Sequence, residues 1–384
     1  MDFGLTSSQL ALQDMVRKFA AAELAPAYAS AEAAARIDRA IIARMGALGL
    51  IAPELPEDCG GHGVDRISSG IIITEIARAD FNVAYIQLLA SLCGQILAGN
   101  GIESITRPWL HRLTAGEAVL ALALTEPSGG SDAARLSLHM RKERDRYVLN
   151  GEKASISMAD QADAAVVFAR SGSPDDGARG ISALLVPLDL KGISRTRFAD
   201  IGQHAVGRGS IFFDAVEVPA DHLLGAEGAG FRQVLGGFDF SRALIALQCL
   251  APAVLSLEET WAWAGERKAF GQPLSAFQGV SHRLAELETH IEAARLLCFK
   301  TLWLKDQGQP HSAEAAMCKW WAPRLAFEAI HQCLLFHGHM GYSRDLPFEQ
   351  RLRDVLGLEI GDGTAEIMKT IIARQRAGRH AVPY

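Results

Sequence analysis

Residues 118–132, AVLALALTEPSGGSD, are where the chain changes its period. Upstream, apolar residues recur three and four apart, as one face of a helix requires. Downstream they come in short runs between turn signals. The run ends at Leu124 and gives way to Thr125, Glu126 and a Gly-rich turn. Such a turn lets backbone N–H groups close on an anion, and Thr125 and Ser131 add hydroxyls. Taken alone, a surface turn between two strands explains the same residues.

Outward from this point the chain falls into three textures. Residues 1–113 read as helices. Leu10, Leu12, Val16 and Phe19 form a helical stripe, and ASAEAAARIDRAIIARMGALGL is rich in alanine with polar residues between. After a Pro/Gly loop, APELPEDCGGHGVD, the stretch GIIITEIARADFNVAYIQLLASLCGQILAG reads as two buried helices. Residues 114–228 read as a compact, mostly antiparallel β domain. ADAAVVFARS, GISALLVPLD and GSIFFDAVEVP are its short apolar runs, and LSLHMRKERDRYVLNG alternates around a turn. Within LNGEKASIS, Asn150-Gly151 signals a hairpin, and the strand after it carries Ser155 and Ser157 on one face. From 229 to 384 the helical pattern returns in longer pieces. Val280, Leu284, Leu287 and Ile291 mark one face of one long helix, and SAEAAMCKWWAPRLAFEAIHQCLLFHG forms another. These helices are apolar on more than one face, which predicts burial both in a bundle and against another subunit.

With 384 residues the chain is long enough for two or three domains, and 49% hydrophobic against 21% charged residues describes a folded protein. A net charge of −6 offers no basic field for nucleic acid. Asp2 stands where a signal peptide needs positive charge, and the longest apolar runs are far too short to span a bilayer. A cytoplasmic protein with no membrane contact is expected. The six cysteines are scattered without a C-x-x-C pair, which predicts reduced, mostly buried thiols.

Four further stretches carry chemistry-bearing residues. FDFSR places Asp239 and Arg242 one helical turn apart, as an ion pair or as a phosphate contact. RKAFGQPLSAFQ (267–278) joins two helices with a mixture of Arg, Phe and Gln that a plain linker does not need. LLFHGHMGY (334–342) holds His337 and His339, but no carboxylate or cysteine lies at ligand spacing, so no metal is expected. GDGTAEI (361–367) sets Asp362 between two glycines before a helix. Asp362 reads as an N-cap or as a catalyst, and Thr364 can cap that helix in its place.

In this order and over this length, these stretches resemble the acyl-CoA dehydrogenase flavoprotein family. LTEPSGGSD is similar to its first signature, RKAFGQPLSAFQ to its helix-linker motif, and HGHMGY, EQRLRDV and GDGTAEI to its C-terminal signature. The resemblance covers essentially the whole chain. It implies an α+β fold: an N-terminal all-α domain, a central antiparallel β domain and a C-terminal four-helix bundle. It also implies a homotetramer built as a dimer of dimers, with FAD as cofactor.

Residue by residue, the resemblance implies that Leu122, Leu124, Thr125 and Ser131 run along the flavin. Ser155, Ile156 and Ser157 form a second contact, with Ser157 near the atom that accepts hydride. Arg267, Phe270 and Gln278 meet the FAD of a neighbouring subunit. Leu335, Gly338 and His339 follow its tail, and Thr364 and Glu366 contact it at the start of the last helix. Ser131, Asp239 and Arg242 contact the CoA moiety, and Gly361 and Gly363 flank the acyl group. The implied reaction is α,β-dehydrogenation of an acyl-CoA. Asp362 removes the α-proton, the β-hydride goes to the flavin, and the Asp362 N–H supports the thioester oxygen. An electron-transfer flavoprotein is the implied acceptor.

Four departures from the family pattern stand out. The usual glutamate base is Asp362, shorter by one methylene, about 1.5 Å of reach. The tyrosine often found before it is Gly361. Ser155 replaces a flavin-contact tryptophan, and Leu335 and His339 replace a glutamine and a glycine. In another branch the base sits where this chain has Ser241, which cannot serve. The Gly361-Asp362 pair predicts a branched or alicyclic acyl group, and the C-terminal block looks most like cyclohexanecarboxyl-CoA dehydrogenases. Alternatives are a carrier-protein-linked acyl dehydrogenase, a nitroalkane-oxidase-like flavin oxidase, and a non-catalytic relic that binds acyl-CoA or a partner.

Overall fold

The computed structural model describes residues 4–378 and Val382; Asp2 lies outside them. In chain order the N-terminal helices are α1 (Ser7–Phe19), α2 (Tyr28–Ala34), α3 (Arg39–Ala47), α4 (Arg66–Ala79), α5 (Ala84–Asn100) and α6 (Glu103–Thr114). The strands β1 (Leu120–Ala123), β2 (His139–Glu143), β3 (Arg146–Ser157), β4 (Ala164–Arg170), β5 (Ile181–Pro187), β6 (Ile193–Arg195), β7 (Arg208–Pro219) and β8 (Leu223–Leu224) follow. The C-terminal helices are α7 (Gly230–Glu266), α8 (Gln278–Asp306), α9 (Ser312–Phe336), α10 (His339–Tyr342), α11 (Phe348–Ile360) and α12 (Ala365–Ala377). A short hairpin, β9 (Lys268–Ala269) with β10 (Gln272–Pro273), joins α7 to α8. The order is thus helices, sheet, helices, as the change of period predicts. By contacts the chain forms two compact units: one holds the residues up to Ala29, Arg66–Ala84 and those from Arg242 on, and the other holds Ser30–Asp65 and Tyr85–Ser241.

The second unit is built on an eight-stranded sheet of order β6-β7-β3-β2-β4-β5-β8, with β1 pairing in parallel with β4. Most other pairs are antiparallel. β4 and β5 are buried almost throughout, which is why they read as unbroken apolar runs. The Asn150-Gly151 hairpin is not there. The turn lies earlier, at Arg144-Asp145, where Glu143 pairs with Arg146 and Arg144 takes φ 55°. Asn150 and Gly151 lie inside β3 at a register shift against β7, and Asn150 Oδ1 accepts from the Ala215 amide at 2.9 Å. The residues that favour a hairpin turn also suit a bulge, and local sequence does not tell the two apart.

In the first unit, α9 packs on α8, α11 and α12, and α4 packs on α1 and α8. α1 opens with a capping box in which Thr6 and Gln9 satisfy each other's backbone amides. Gln13 and Arg17 reach Glu75 of α4 and so set which face of α1 turns inward. That face carries Gln9, Val16 and Phe19, leaving Leu10 52% exposed instead of in the stripe. The alanine-rich stretch is likewise not continuous: it breaks at Ala35 (φ 52°), and Asp38 caps α3. The expectation of no bilayer-length apolar segment is also corrected. α7 contains an 18-residue stretch apolar enough to cross a membrane, but 89% of that stretch is buried in the protein, as in a core helix.

Asp80, wholly buried in the first unit, accepts from the amides of Asn82 and Val83. Burial, with Asp354 nearby, pushes its carboxyl up to about 7. Between the unfolded value near 4 and that value the folded chain holds a proton that the unfolded chain has lost. Stability from this group therefore falls as pH rises across that window, by about 1.4 kcal/mol per pH unit. Asp80→Asn keeps the acceptor and removes the titration. Urea unfolding from pH 5 to 8 should show a flatter pH dependence in the variant and a higher midpoint than the parent at pH 8.

Candidate active site

In the second unit, β1 leaves Leu122 half-exposed between buried Ala121 and Ala123. Leu124 is buried, Thr125 half-buried, and Ser131 stands exposed beyond the turn that Glu126 and Gly129 close. The Thr125 carbonyl accepts from the Ala154 amide at 2.9 Å, which ties this segment to the end of β3. There a second register shift occurs between Lys153 and Ile156, and Ser155 takes φ 60°. The bulge aims Ser155 and Ser157 outward while Ile156 stays buried. Thr125, Ser155 and Ser157 are therefore brought together.

Lys153, which the motif reading passed over, organises this region. It is fully buried on β3, and its Nζ donates to the Leu124 carbonyl (2.9 Å) and to Glu126 Oε1 (2.8 Å). Glu126 also accepts from the amides of Ser137 and Leu138 and from the Ser137 hydroxyl. Burial pushes the Lys153 ammonium down to about 8, while Lys153 and the Ser137 donors outweigh the burial of Glu126 and lower its carboxyl. No local signal marks it: counted by twos, Lys153 shares the face of Ser155 and Ser157, and the bulge between Lys153 and Ile156 turns it inward.

In the first unit, α11 ends at Ile360 and α12 begins at Ala365, with Gly361–Gly363 as the turn between. Thr364, not Asp362, is the N-cap of α12, its hydroxyl facing the Ile367 amide. Asp362 takes φ 57°, a conformation in which aspartate is commoner than most residues. Gly363 takes φ 106°, a conformation that side-chain-bearing residues rarely adopt, and a Cβ there would also press on the Met368 methyl at 2.5 Å. Gly361 differs: its φ is −58°, and a Cβ there would meet its nearest atoms at 3.6 Å, ordinary contact. Backbone geometry thus does not require glycine at 361. Glu366 is exposed in the first turn of α12. Beneath the turn, buried Lys319 of α9 donates to the carbonyls of Leu358 and Gly363. Its ammonium senses the Asp362 carboxylate and, with opposite sign, buried Arg242 of α7.

The remaining predicted residues sit at three places in the chain. Arg267 lies at the β9–β10 hairpin, its guanidinium 5.9 Å from the Trp263 ring. Phe270 and Gly271 form the hairpin turn, both with positive φ, and Phe270 is 98% exposed. Gln278 is the exposed first residue of α8. Leu335, Gly338 and His339 cluster at the end of α9, all exposed. His337 packs between Trp263 and Phe348, its Nδ1 within hydrogen-bonding distance of the Cys333 carbonyl. Asp239, half-buried, lies one turn before Arg242 on α7, and the buried Ser241 hydroxyl bonds its own helix at the Phe238 carbonyl.

These surfaces fit a flavin dinucleotide. The second unit offers hydroxyls and a backbone bulge beside a half-exposed apolar strand. The first offers the nearly fully exposed Phe270 ring at the tip of a hairpin that Arg267 precedes, an aromatic face and a cation suited to an adenine and a pyrophosphate.

The chain matches three family models: "Acyl-CoA dehydrogenase, N-terminal domain" over residues 6–117, "middle domain" over 121–216 and "C-terminal domain" over 228–376. "Probable acyl-CoA dehydrogenase YngJ" of Bacillus subtilis is 37% identical over 98% of this chain and 99% of its own. Butyryl-CoA dehydrogenase from Megasphaera elsdenii superposes with a TM-score of 0.94 at 30% identity, covering 98% of this chain and all of that one. A chain from the structure described as "Electron transferring flavoprotein of Acidaminococcus fermentans" does so with a TM-score of 0.95 at 33% identity, over 98% and 100%. Matched from end to end in sequence and in fold, the chain belongs to the acyl-CoA dehydrogenase family of FAD-dependent oxidoreductases.

Proposed function

We propose that this enzyme dehydrogenates a compact acyl-CoA, short but wide at the α-carbon, with Asp362 as the base. The observation that carries this reading is the Gly361-Asp362 pair. A side chain at 361 meets no backbone obstacle, so its absence leaves room beside the carboxylate. An aspartate held by a turn reaches less far than a glutamate, and a broad acyl group brings its α-carbon to it. Isobutyryl-CoA and cyclohexanecarboxyl-CoA have this shape. The butyryl-CoA relative supports the short dimension, and Gly361 together with the shorter reach of Asp362 supports the width.

In this reading Asp362 takes the α-proton. Its own N–H supports the thioester oxygen as negative charge develops there. Arg242, with Asp239 and Ser131, holds the CoA portion. Bound FAD supplies the acceptor for the β-hydride, and Thr125, Ser155 and Ser157 orient it. Exposed Phe270, Leu335, Tyr342 and Ile360 are surfaces that a homotetramer would cover. An electron-transfer flavoprotein is the proposed acceptor, and the cytoplasm the proposed location.

The test is anaerobic bleaching of the bound flavin with isobutyryl-, cyclohexanecarboxyl- and linear C4–C12 acyl-CoAs. Faster bleaching by the wide thioesters is expected. A clear preference for a linear chain removes the width from the proposal. Gly361→Tyr should lower the rate with cyclohexanecarboxyl-CoA by about tenfold or more relative to butyryl-CoA, the scale of a filled apolar pocket.

A further inference from the structure

The ends of α11 and α12 leave a problem that the chain solves in an unusual way. The last carbonyls of α11 have no partner within the helix, and the turn that follows holds two successive residues at positive φ, Asp362 and Gly363. A turn of this kind persists only where its surroundings determine it. The Gly361 amide still closes on the Gly357 carbonyl at 3.0 Å. The next constraint comes from outside the turn. Lys319 of α9 is 1% exposed, and its Nζ donates to the Leu358 carbonyl at 2.7 Å and to the Gly363 carbonyl at 3.2 Å. One carbonyl lies before Asp362 and the other directly after it.

We propose that Lys319 is a positioning residue that fixes the Leu358–Gly363 turn on α9 and thereby aims the Asp362 carboxylate. The inference rests on Asp362 being the base. A lysine that only closed the end of α11 would need the Leu358 carbonyl alone. The second bond, to the residue beside the base, is what makes the position of Asp362 depend on it. Burying an ammonium is costly and is tolerated where hydrogen bonds and opposite charge compensate it. Burial pulls the Lys319 ammonium down; Asp362 is the strongest influence in the other direction, with Cys249 and Glu359 adding to it and Arg242 opposing it. The lysine and the base thus stand in each other's field.

Lys319→Met in the FAD-loaded enzyme tests this, because it keeps length and bulk and removes the donors. Expected is a loss of about 10- to 100-fold in the rate constant for anaerobic flavin reduction, the scale of a 1 Å misplacement. FAD content and acyl-CoA dissociation constant, read from the flavin spectrum, should stay within about threefold. A second readout needs no turnover. The drop in unfolding midpoint caused by Lys319→Met should shrink in an Asp362→Asn background, where the charge partner is gone. A Lys319→Met enzyme that reduces as fast as the parent overturns the proposal. So does a loss of rate matched by an equal loss of acyl-CoA or FAD binding. Should Lys319→Met fail to fold, Lys319→Gln, which keeps amide N–H donors but loses the charge and is one atom shorter, and so cannot reach both carbonyls as the lysine does, carries the same expectations. Asp362→Asn separates the two readings. If it bleaches normally, the base assignment has failed; if it does not bleach while Lys319→Met does at the parental rate, only the positioning role has failed.

Discussion

Asp362→Asn should keep the bound flavin yellow and lose its bleaching by acyl-CoA by about 10² to 10⁴-fold, the range that a positioned general base contributes. A thousandfold loss corresponds to about 4 kcal/mol of transition-state stabilisation. The substitution is informative because it disturbs so little. Asparagine adopts the left-handed conformation as readily as aspartate, so φ 57° at this position is retained. The α12 cap is also untouched, since Thr364 supplies it. The substitution replaces one carboxylate oxygen by an amide and removes the charge that Lys319 senses, while the backbone N–H proposed to support the thioester oxygen stays. Stopped-flow reduction under anaerobic conditions measures the effect, and reduction at the parental rate would falsify the assignment of the base.

The second large effect is structural. Lys153→Met should cost about 3–5 kcal/mol of stability, because it leaves the Glu126 carboxylate buried without its cation. Glu126 would keep its donors from Ser137 and Leu138, so the loss falls on the charge and on the Leu124 carbonyl that Lys153 also holds. Leu124 and Thr125 lie in the segment proposed to run along the flavin, so retention of FAD through gel filtration should fall with stability. Urea denaturation followed by FAD fluorescence and by circular dichroism checks both. A midpoint unchanged from the parent would show that the pair contributes nothing net.

Much of this protein was legible in one dimension. The change of period at AVLALALTEPSGGSD placed the sheet between two helical regions, because burial on one face imposes a spacing that needs no knowledge of the partner. Thr364 was readable as the α12 cap for a similar reason: N-cap chemistry acts over three residues. Asn150-Gly151 was misread because two local geometries share one residue preference, and pairing with β7, some sixty residues on, decided between them. Leu10 was misplaced because polar contacts to Glu75 chose the buried face of α1.

The two buried lysines mark the deeper limit. Lysine in a strand or on a long helix reads as a solvated charge, and only the fold reveals what each amine meets. Lys153 finds a carboxylate and Lys319 finds carbonyls from a turn some forty residues away. Spacing and composition by themselves determined which elements form, in what order, and which acidic residue stands before the last helix. Tertiary structure alone decided how that residue is held, because hydrogen bonds between distant segments leave no period in the sequence.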